Sequence, residues 1–454
     1  MTAGSVADEQ QRVLELVERH GWNATAFQTL EAGYCYEFPG EDACVAYVDT
    51  GAAWVVAGAP ITAHERLGAV TSAFMARARA AGKRCCFFAT EERLNSALGV
   101  ELRSFRIGEQ PVWDPGDWAE SLAGHRSLRE QLRRARVKGV RVREVTAREL
   151  GAGATRDAMT RVAERWLATR SMAPLDFLVQ VEPFAFPSRR RCFVAERDGH
   201  MVGFAGVVPV PARGGWFLED LVRDPQAPNG TGELLVDAVM RWASAQGSTW
   251  LTLGLAPLAG KVAAPLRAAR RGAAFLYDFD GLRRYKAKLR PRSWSPIYLA
   301  YPATQGAVIS LLDALRAFTR GGFLRFGLRS LLRGPIAVLR VLSVLLLPWT
   351  LVLMLAPSEQ WFGATWIKWS WVTFDALVAL GLFQLLSRPT PWLLSLLAVA
   401  VTVDAGLTLV EAICWNLSRA HGLFDYLVIG SACAAPTLAA LVLWGARRTR
   451  LRVS

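Results

Sequence analysis

The sequence predicts an α/β domain followed by an all-α transmembrane domain of about four helices. Two observations carry this. Up to Pro302, apolar stretches of strand length alternate with helical patterns; beyond it, long apolar stretches follow with few charges between them. Only 13 of the 53 Lys and Arg and 6 of the 39 Asp and Glu lie after Pro302. With 454 residues, 52% hydrophobic and 20% charged, the chain is neither disordered nor a disulfide-stapled mini-protein, and more than one domain is expected. Its net charge of +14 favours a polyanionic partner, nucleic acid or an anionic membrane. The expected division is a cytoplasmic domain over 1–302, a basic amphipathic linker over 303–334, a transmembrane domain over 335–446 and a basic cytoplasmic tail over 447–454.

Residues 8–20 read as a helix with Val13, Leu14 and Val17 on one face and Gly21 as its stop. Ala52–Gly58 reads as a strand, Thr62 with Glu65 as a capping box opening a helix to about Ala81, and Arg84–Ala89 as the next strand. A second capping box, Thr146 with Glu149, introduces further helix. Then come strands at Cys192–Glu196, Met201–Val210 and Trp216–Val222, the first two joined by a turn at Asp198-Gly199. A helix over 231–246, with Leu235, Ala238, Val239 and Trp242 on one face, leads to a last strand at Thr249–Leu253. Helical pieces, a hairpin, a strand, a glycine-containing turn into a helix and one more strand is the order of GNAT-type acyltransferases. The first 120 residues repeat the theme less clearly, so two related subdomains are expected.

Four apolar stretches, Val341–Pro357, Trp371–Leu386, Trp392–Trp415 and Tyr426–Trp444, approach the length that spans a bilayer, with three spans as the alternative count. Arginines flank the first span on its N-terminal side, the loop between the second and third, and the end of the last, which places those points on the cytoplasmic side. Before the first span, Arg316, Arg320, Arg325, Arg329 and Arg333 recur among leucines and phenylalanines, as in a helix on an anionic leaflet or an ordinary positive-inside flank. Asp375, Asp404 and Glu411 fall inside the spans and should face protein or water. The N-terminus has no basic region followed by an apolar stretch, so the leading domain is expected to stay where it is made.

The segment from Asp220 to Glu233 is the most informative turn. Pro225 and Pro228 end the strand, Asn229 and Gly230 supply permissive backbone, and the following helix offers free N–H groups and a partial positive charge. Such a corner holds a phosphate, a carboxylate or a developing oxyanion; it is equally what a plain connection with Asn229 or Thr231 as N-cap provides. Strict alternation puts Asp220 and Arg223 on opposite strand faces, so they converge only if the strand stops between them. Two basic stretches bracket the core. Arg126, Arg129, Arg133, Arg134, Arg136 and Lys138 crowd a short helix that also carries Leu128 and Leu132, while Arg284, Lys286, Lys288, Arg290 and Arg292 alternate. The second set shares one face if extended and spreads around the axis if helical, and either run is also an ordinary solvated surface.

Cys35, Cys44, Cys85, Cys86, Cys192, Cys414 and Cys433 show no metal spacing or paired framework, so no metal site is expected. There is no HExxH, Walker A loop, GxGxxG fingerprint or GxSxG elbow. Chemistry that rests on positioning and oxyanion stabilisation without a cofactor survives, such as acyl transfer to a hydroxyl or amine.

Six segments, in order, resemble the catalytic domain of the phosphatidylglycerol lysyltransferases, the multiple peptide resistance factor family: Gly33–Gly58 ending WVVAGAP, SLREQLRRARVKGVRV, CFVAERDGHMVGFAGVVP, DLVRDPQAPNGTGELL, STWLTLGLAPLAG and GLRRYKAKLRPRSWSPIYLAYP. The resemblance covers about residues 20–302. It implies a tandem GNAT-type fold that moves an aminoacyl group from aminoacyl-tRNA to a phosphatidylglycerol hydroxyl, altering membrane surface charge. By motif position it implies Asp220 as an acid positioning the amine or acceptor, Arg223 as a phosphate or ester-oxygen contact, and Glu233 as a supporting or amine-binding acid. Asn229, Gly230 and Thr231 would shape the turn around the substrate, and Lys286 or Lys288 matches the family's functional basic residue. Arg129, Arg133, Arg134, Arg284 and Arg290 would meet tRNA or lipid phosphate. In the family a larger membrane region with a flippase precedes the catalytic domain, whereas here the spans follow it, so flippase activity is not implied. The competing readings are an acyl-CoA-dependent acyltransferase, with a pyrophosphate at Asn229–Gly232, and a non-catalytic module binding anionic lipid or RNA.

Overall fold

The computed structural model describes residues 3–151, 153–169, 177–178, 183–263, 266–267, 278–319, 322, 326, 337–355, 364–387, 390–420 and 422–451. Contacts divide the chain into an α/β unit reaching Phe326 and an apolar helical unit from Gly327 onward.

The α/β unit opens with α1 (Ala3–His20), which buries Val13, Leu14, Leu16 and Val17. Strands β1 (Cys35–Glu37), β2 (Ala43–Asp49), β3 (Ala53–Ala57) and β4 (Ile61–Thr62) precede α2 (Leu67–Ala80) and β5 (Arg84–Thr90). The capping box expected at Thr62 and Glu65 does not form. Thr62 lies in a strand paired with β2 and its hydroxyl donates to Asp42 O, so a 3₁₀ turn at His64–Arg66 leads into α2 instead. After α3 (Glu92–Leu98) and the long β6 (Leu102–Trp113) come α4 (Trp118–Gly124), α5 (Arg126–Val137), β7 (Arg141–Val145), α6 (Ala147–Gly151) and α7 (Ala154–Ala168). At α6 the second capping box is present: Thr146 N donates to Glu149 Oε2 and Glu149 N to Thr146 Oγ1.

The remaining elements are β8 (Arg191–Arg197), β9 (His200–Val210), β10 (Gly215–Arg223), α8 (Thr231–Ala245), β11 (Trp250–Thr252), β12 (Ala256–Pro257), α9 (Phe279–Lys288), β13 (Ser293–Pro302) and α10 (Ala307–Phe318). A 13-stranded sheet runs β1-β2-β3-β5-β13-β6-β11-β10-β9-β8-β7, with β4 on β2 and β12 on β6 off that path. Each half contains one parallel pair joined through a helix, β3 to β5 through α2 and β10 to β11 through α8, within otherwise antiparallel neighbours. This is the tandem GNAT-type order. The halves join at the centre, where β13 pairs with both β5 and β6 and β6 pairs with β11.

Helix α10 belongs to this unit, although its residues fall in the linker expected from residue 303. Arg84 donates to both carboxylate oxygens of the buried Asp313 at 2.7 and 2.8 Å, and Phe318 packs edge-on to Phe88 and Phe177. The amphipathic pattern there is the buried face of a sheet-covering helix. Arg320, Arg325, Arg329 and Arg333 lie outside the described residues.

The second unit contains α11 (Ala337–Leu355), α12 (Thr365–Ser387), α13 (Pro391–Glu411) and α14 (Leu423–Leu451). Among the described residues, three segments are long and apolar enough to cross a membrane: Thr365–Leu386, Pro391–Arg419 and Asp425–Trp444; α11 contributes a shorter apolar stretch, Ser343–Leu355. Leu382, Leu385, Leu394, Leu397 and Leu443 form its core, and Lys368 and Asp375 on α12 are buried within the unit. Helix α14 runs to Leu451, through most of the expected tail.

Candidate active site

The site is built where β10 ends and α8 begins. β10 alternates until a bulge at Glu219: Leu218 pairs with Val207 and Asp220 with Gly206 on β9, leaving Glu219 as the extra residue. Leu218 and Leu221 therefore both pack toward α8, whereas Asp220 and Val222 face the other side with Cys192 and Phe204. The strand continues through Arg223, so Asp220 and Arg223 do not converge on one face. Of the two outcomes the alternation allowed, the separated one holds.

On the far face, Asp220 sits in a buried ionic group that the sequence reading missed. Arg190 Nη1 pairs with Glu219 Oε2 and lies 3.6 Å from Asp220 Oδ2; the three side chains are 1%, 3% and 4% exposed. Arg190 also donates to Ala185 O and lies over the Phe27 ring, which belongs to the first half. Gly206 makes room for this: a Cβ there would stand 2.9 Å from Asp220 Oδ2. Glu219 was hidden because a bulge breaks the two-residue period on which strand faces are read. An acidic Glu-Asp pair within an apolar strand was the one available signal.

On the α8 face, Arg223, Glu233, Tyr285 and Lys288 gather at the helix N-terminus. Lys288 Nζ donates to Glu233 Oε1 at 2.7 Å. A Cβ on Gly232 would lie 3.0 Å from Tyr285 Oη, so the phenol stands directly over the first turn, and that hydroxyl has no hydrogen-bond partner among the described residues. Burial, then the Glu233 carboxylate, raises the Tyr285 pKa, with Arg223 opposing, which keeps the phenol protonated as a donor. The N-cap is Gly230 at φ +95°, without a side-chain cap, rather than Asn229 or Thr231. Asn229 is exposed, and the buried Thr231 hydroxyl donates to Pro228 O. Uncapped first-turn amides, Arg223 and a protonated phenol thus converge on one face.

Lys286 is placed differently from Lys288. It is buried and donates to three successive carbonyls, Leu253, Gly254 and Leu255, at 2.8, 2.9 and 3.0 Å. These follow β11, which pairs with β10 only from Trp250 to Thr252, so Lys286 fastens the strand end where the parallel pair separates. Burial pushes its pKa down to about 7, against which the three acceptors stabilise the ammonium. Its charge is committed to the backbone.

The basic stretches divide likewise. α5 presents Arg133 and Arg134 on its exposed side, both paired to Glu130, whose carboxyl the Arg133 hydrogen bond and the neighbouring charges hold down at about 2. Arg129 Nη1 donates to Leu122 O at 2.7 Å and to Ala123 O, closing the end of α4. Arg136 bonds the buried Asp237 of α8. The second stretch is helical through Lys288, so its side chains spread around α9 instead of forming one extended row; Arg284 and Arg290 are exposed.

The comparisons agree with this architecture. The family model for the phosphatidylglycerol lysyltransferase C-terminal domain matches residues 14–301. A phosphatidylglycerol lysyltransferase of Bacillus subtilis is 24% identical over 275 residues, 58% of this chain and 31% of the relative. A lysylphosphatidylglycerol biosynthesis bifunctional protein of Nocardia farcinica is 27% identical over 229 residues, 47% of this chain and 20% of the relative. The chain thus spans about a third or less of these relatives' length. Among solved structures, a C-terminal domain named for a lysylphosphatidylglycerol synthetase of Agrobacterium fabrum aligns with TM-score 0.59 and 25% identity, covering 70% of this chain and 99% of that one. L-PGS of Bacillus licheniformis shares the fold with TM-score 0.59 at 21% identity, covering 68% of this chain and 96% of that one. With the matched region spanning the whole sheet and both faces of β10, the chain belongs to the phosphatidylglycerol lysyltransferase C-terminal domain family.

Proposed function

We propose that the chain transfers an aminoacyl group from aminoacyl-tRNA to a hydroxyl of phosphatidylglycerol or a similar anionic phospholipid in the bacterial cytoplasmic membrane. The product carries an added amine, which makes the membrane surface less negative. The α/β unit and the C-terminus would lie on the cytoplasmic side, with the apolar helices as membrane spans. In the reaction, the lipid hydroxyl oxygen bonds to the ester carbonyl carbon, the bond to the tRNA ribose oxygen breaks, and the hydroxyl proton ends on that ribose oxygen. No redox step or cofactor is needed.

The observation that carries this reading is the convergence of Arg223, the Tyr285 hydroxyl and the first turn of α8 within a member of this family. Those donors suit a phosphate or the oxyanion formed as the ester is attacked. Asp220 would position the amine or acceptor from the other side of β10, and Glu233 with Lys288 would set the donors' orientation. The exposed Arg133, Arg134, Arg284 and Arg290 suit the phosphates of tRNA or lipid.

The test is mass spectrometry of total lipids from a bacterium that lacks aminoacylated lipids and expresses the chain, beside an Asp220→Ala, Arg223→Ala variant. A new aminoacylated lipid that falls at least about 100-fold in the variant, as expected for loss of positioning and charge stabilisation, supports the reading and identifies amino acid and acceptor. Membrane-inserted protein with no new lipid overturns it.

A further inference from the structure

Glu219 is neither part of the family resemblance quoted above nor explained by packing. It is the extra residue of the β10 bulge, and the bulge turns it to the same buried side as Asp220. One of its oxygens, Oε2, meets Arg190. The other, Oε1, is buried and has no hydrogen-bond partner among the described residues. A carboxylate oxygen left in that state costs on the order of 1–3 kcal/mol, and more for a charged group. Arg190 cannot serve it further: its guanidinium is 1% exposed, shared with Asp220 and tied to Ala185 O. The location is the seam of the two halves, since Arg190 lies over Phe27 and Phe27 packs edge-on to Phe186.

We propose that Glu219 Oε1 receives a primary ammonium group of the aminoacyl moiety being transferred, with Arg190 as the residue that holds Glu219 and Asp220 side by side. A cationic donor matches a buried carboxylate oxygen better than a neutral one, because the charge-assisted bond is about twice as strong. The ammonium is either the α-amine common to every aminoacyl ester or a side-chain amine, and both have the chemistry this oxygen accepts. The bulge is then a recognition device: it adds a second carboxylate beside Asp220 without interrupting the strand. This inference rests on the aminoacyl-transfer reading.

The test is isothermal titration of the full chain in detergent micelles with L-alaninamide, L-lysinamide and lactamide, the last carrying a hydroxyl in place of the amine. At least one amine is expected to bind the wild type at least ten-fold tighter than lactamide, and Glu219→Gln is expected to remove that advantage. Binding by alaninamide assigns the α-amine; binding by lysinamide alone assigns the side-chain amine. The Gln side chain still accepts from Arg190, and Glu219→Asp, which keeps the charge on a shorter stem, should bind with intermediate affinity; if the Gln variant does not fold, the Asp variant decides. Equal binding by wild type and variants, equal binding of lactamide, or no amine binding by wild type each overturns the proposal. Glu219-dependent amine binding without any aminoacylated lipid product would instead overturn the transfer reading and leave the ammonium site standing. Product that is insensitive to Glu219 would do the reverse.

Discussion

Lys286 and Lys288 stand two residues apart in one helix and have opposite commitments. Lys286 holds the carbonyls of Leu253, Gly254 and Leu255, whereas Lys288 pairs with Glu233 across partly open space. Replacing Lys286 by Met keeps most of the stem volume but strips three carbonyls of their donor, at about 1–3 kcal/mol for each that water cannot reach. The Lys286→Met variant should therefore lose roughly 2–5 kcal/mol of stability, against about 1–3 kcal/mol for Lys288→Met, which leaves the buried Glu233 carboxylate without its partner although Lys288 itself is partly exposed. Urea melts of the two variants in the same detergent check this. Equal losses would mean that the strand end is held by other contacts. The sequence could point to either lysine as the functional one, since motif position alone does not say which side of a helix meets backbone.

Helix α5 reads as a basic surface in the sequence, yet its arginines do two jobs. Asp237 on α8 accepts from Trp118 Nε1, Arg136 Nη2 and Arg241 Nε at 2.9, 2.8 and 3.0 Å, which fastens α5 and the start of α4 to α8. The turn before α8 is pressed against the same helix, because a Cβ on Gly230 would collide with Gln131 O. Asp237→Ala leaves a buried indole N–H and the guanidinium groups of Arg136 and Arg241 without their acceptor, and about 2–4 kcal/mol of stability should go with it. Arg133→Ala should leave the melting temperature unchanged and, on the aminoacyl-tRNA reading, lower the salt slope of RNA binding by about 1. Thermal unfolding and filter binding across a salt series separate the two. The helix periods and the second capping box were legible because each depends on residues close in sequence. The Glu219 bulge, the Thr62 strand and the α10 packing were not, because each is decided by a partner distant along the chain: Gly206 and Val207 for the first, Asp42 for the second, Arg84 for the third.

At the scale of the molecule, the boundary between the two units follows packing and not composition. The loss of charge after Pro302 suggests a cut there, but β13 lies in the middle of the sheet and α10 packs on β3, β5 and β13 itself. Ala314, Ala317 and Phe318 pack with Val55, Ala57, Cys86 and Leu299, and the buried Asp313 binds Arg84 from the opposite end of the unit's sequence. A fragment ending at Pro302 would expose that apolar face and leave the Arg84 guanidinium without its partner. At about 25 cal/mol per Å² of apolar surface returned to water, the loss amounts to several kcal/mol, which for a unit of this size lowers the melting temperature by roughly 10 °C or more. A fragment ending at Phe326 keeps all of these contacts and should remain soluble and cooperative. Circular dichroism melts of the two fragments test the boundary directly. If the shorter one melts as high as the longer, α10 adds nothing to the fold, and its amphipathic face is then free to serve the lipid surface as the sequence first suggested.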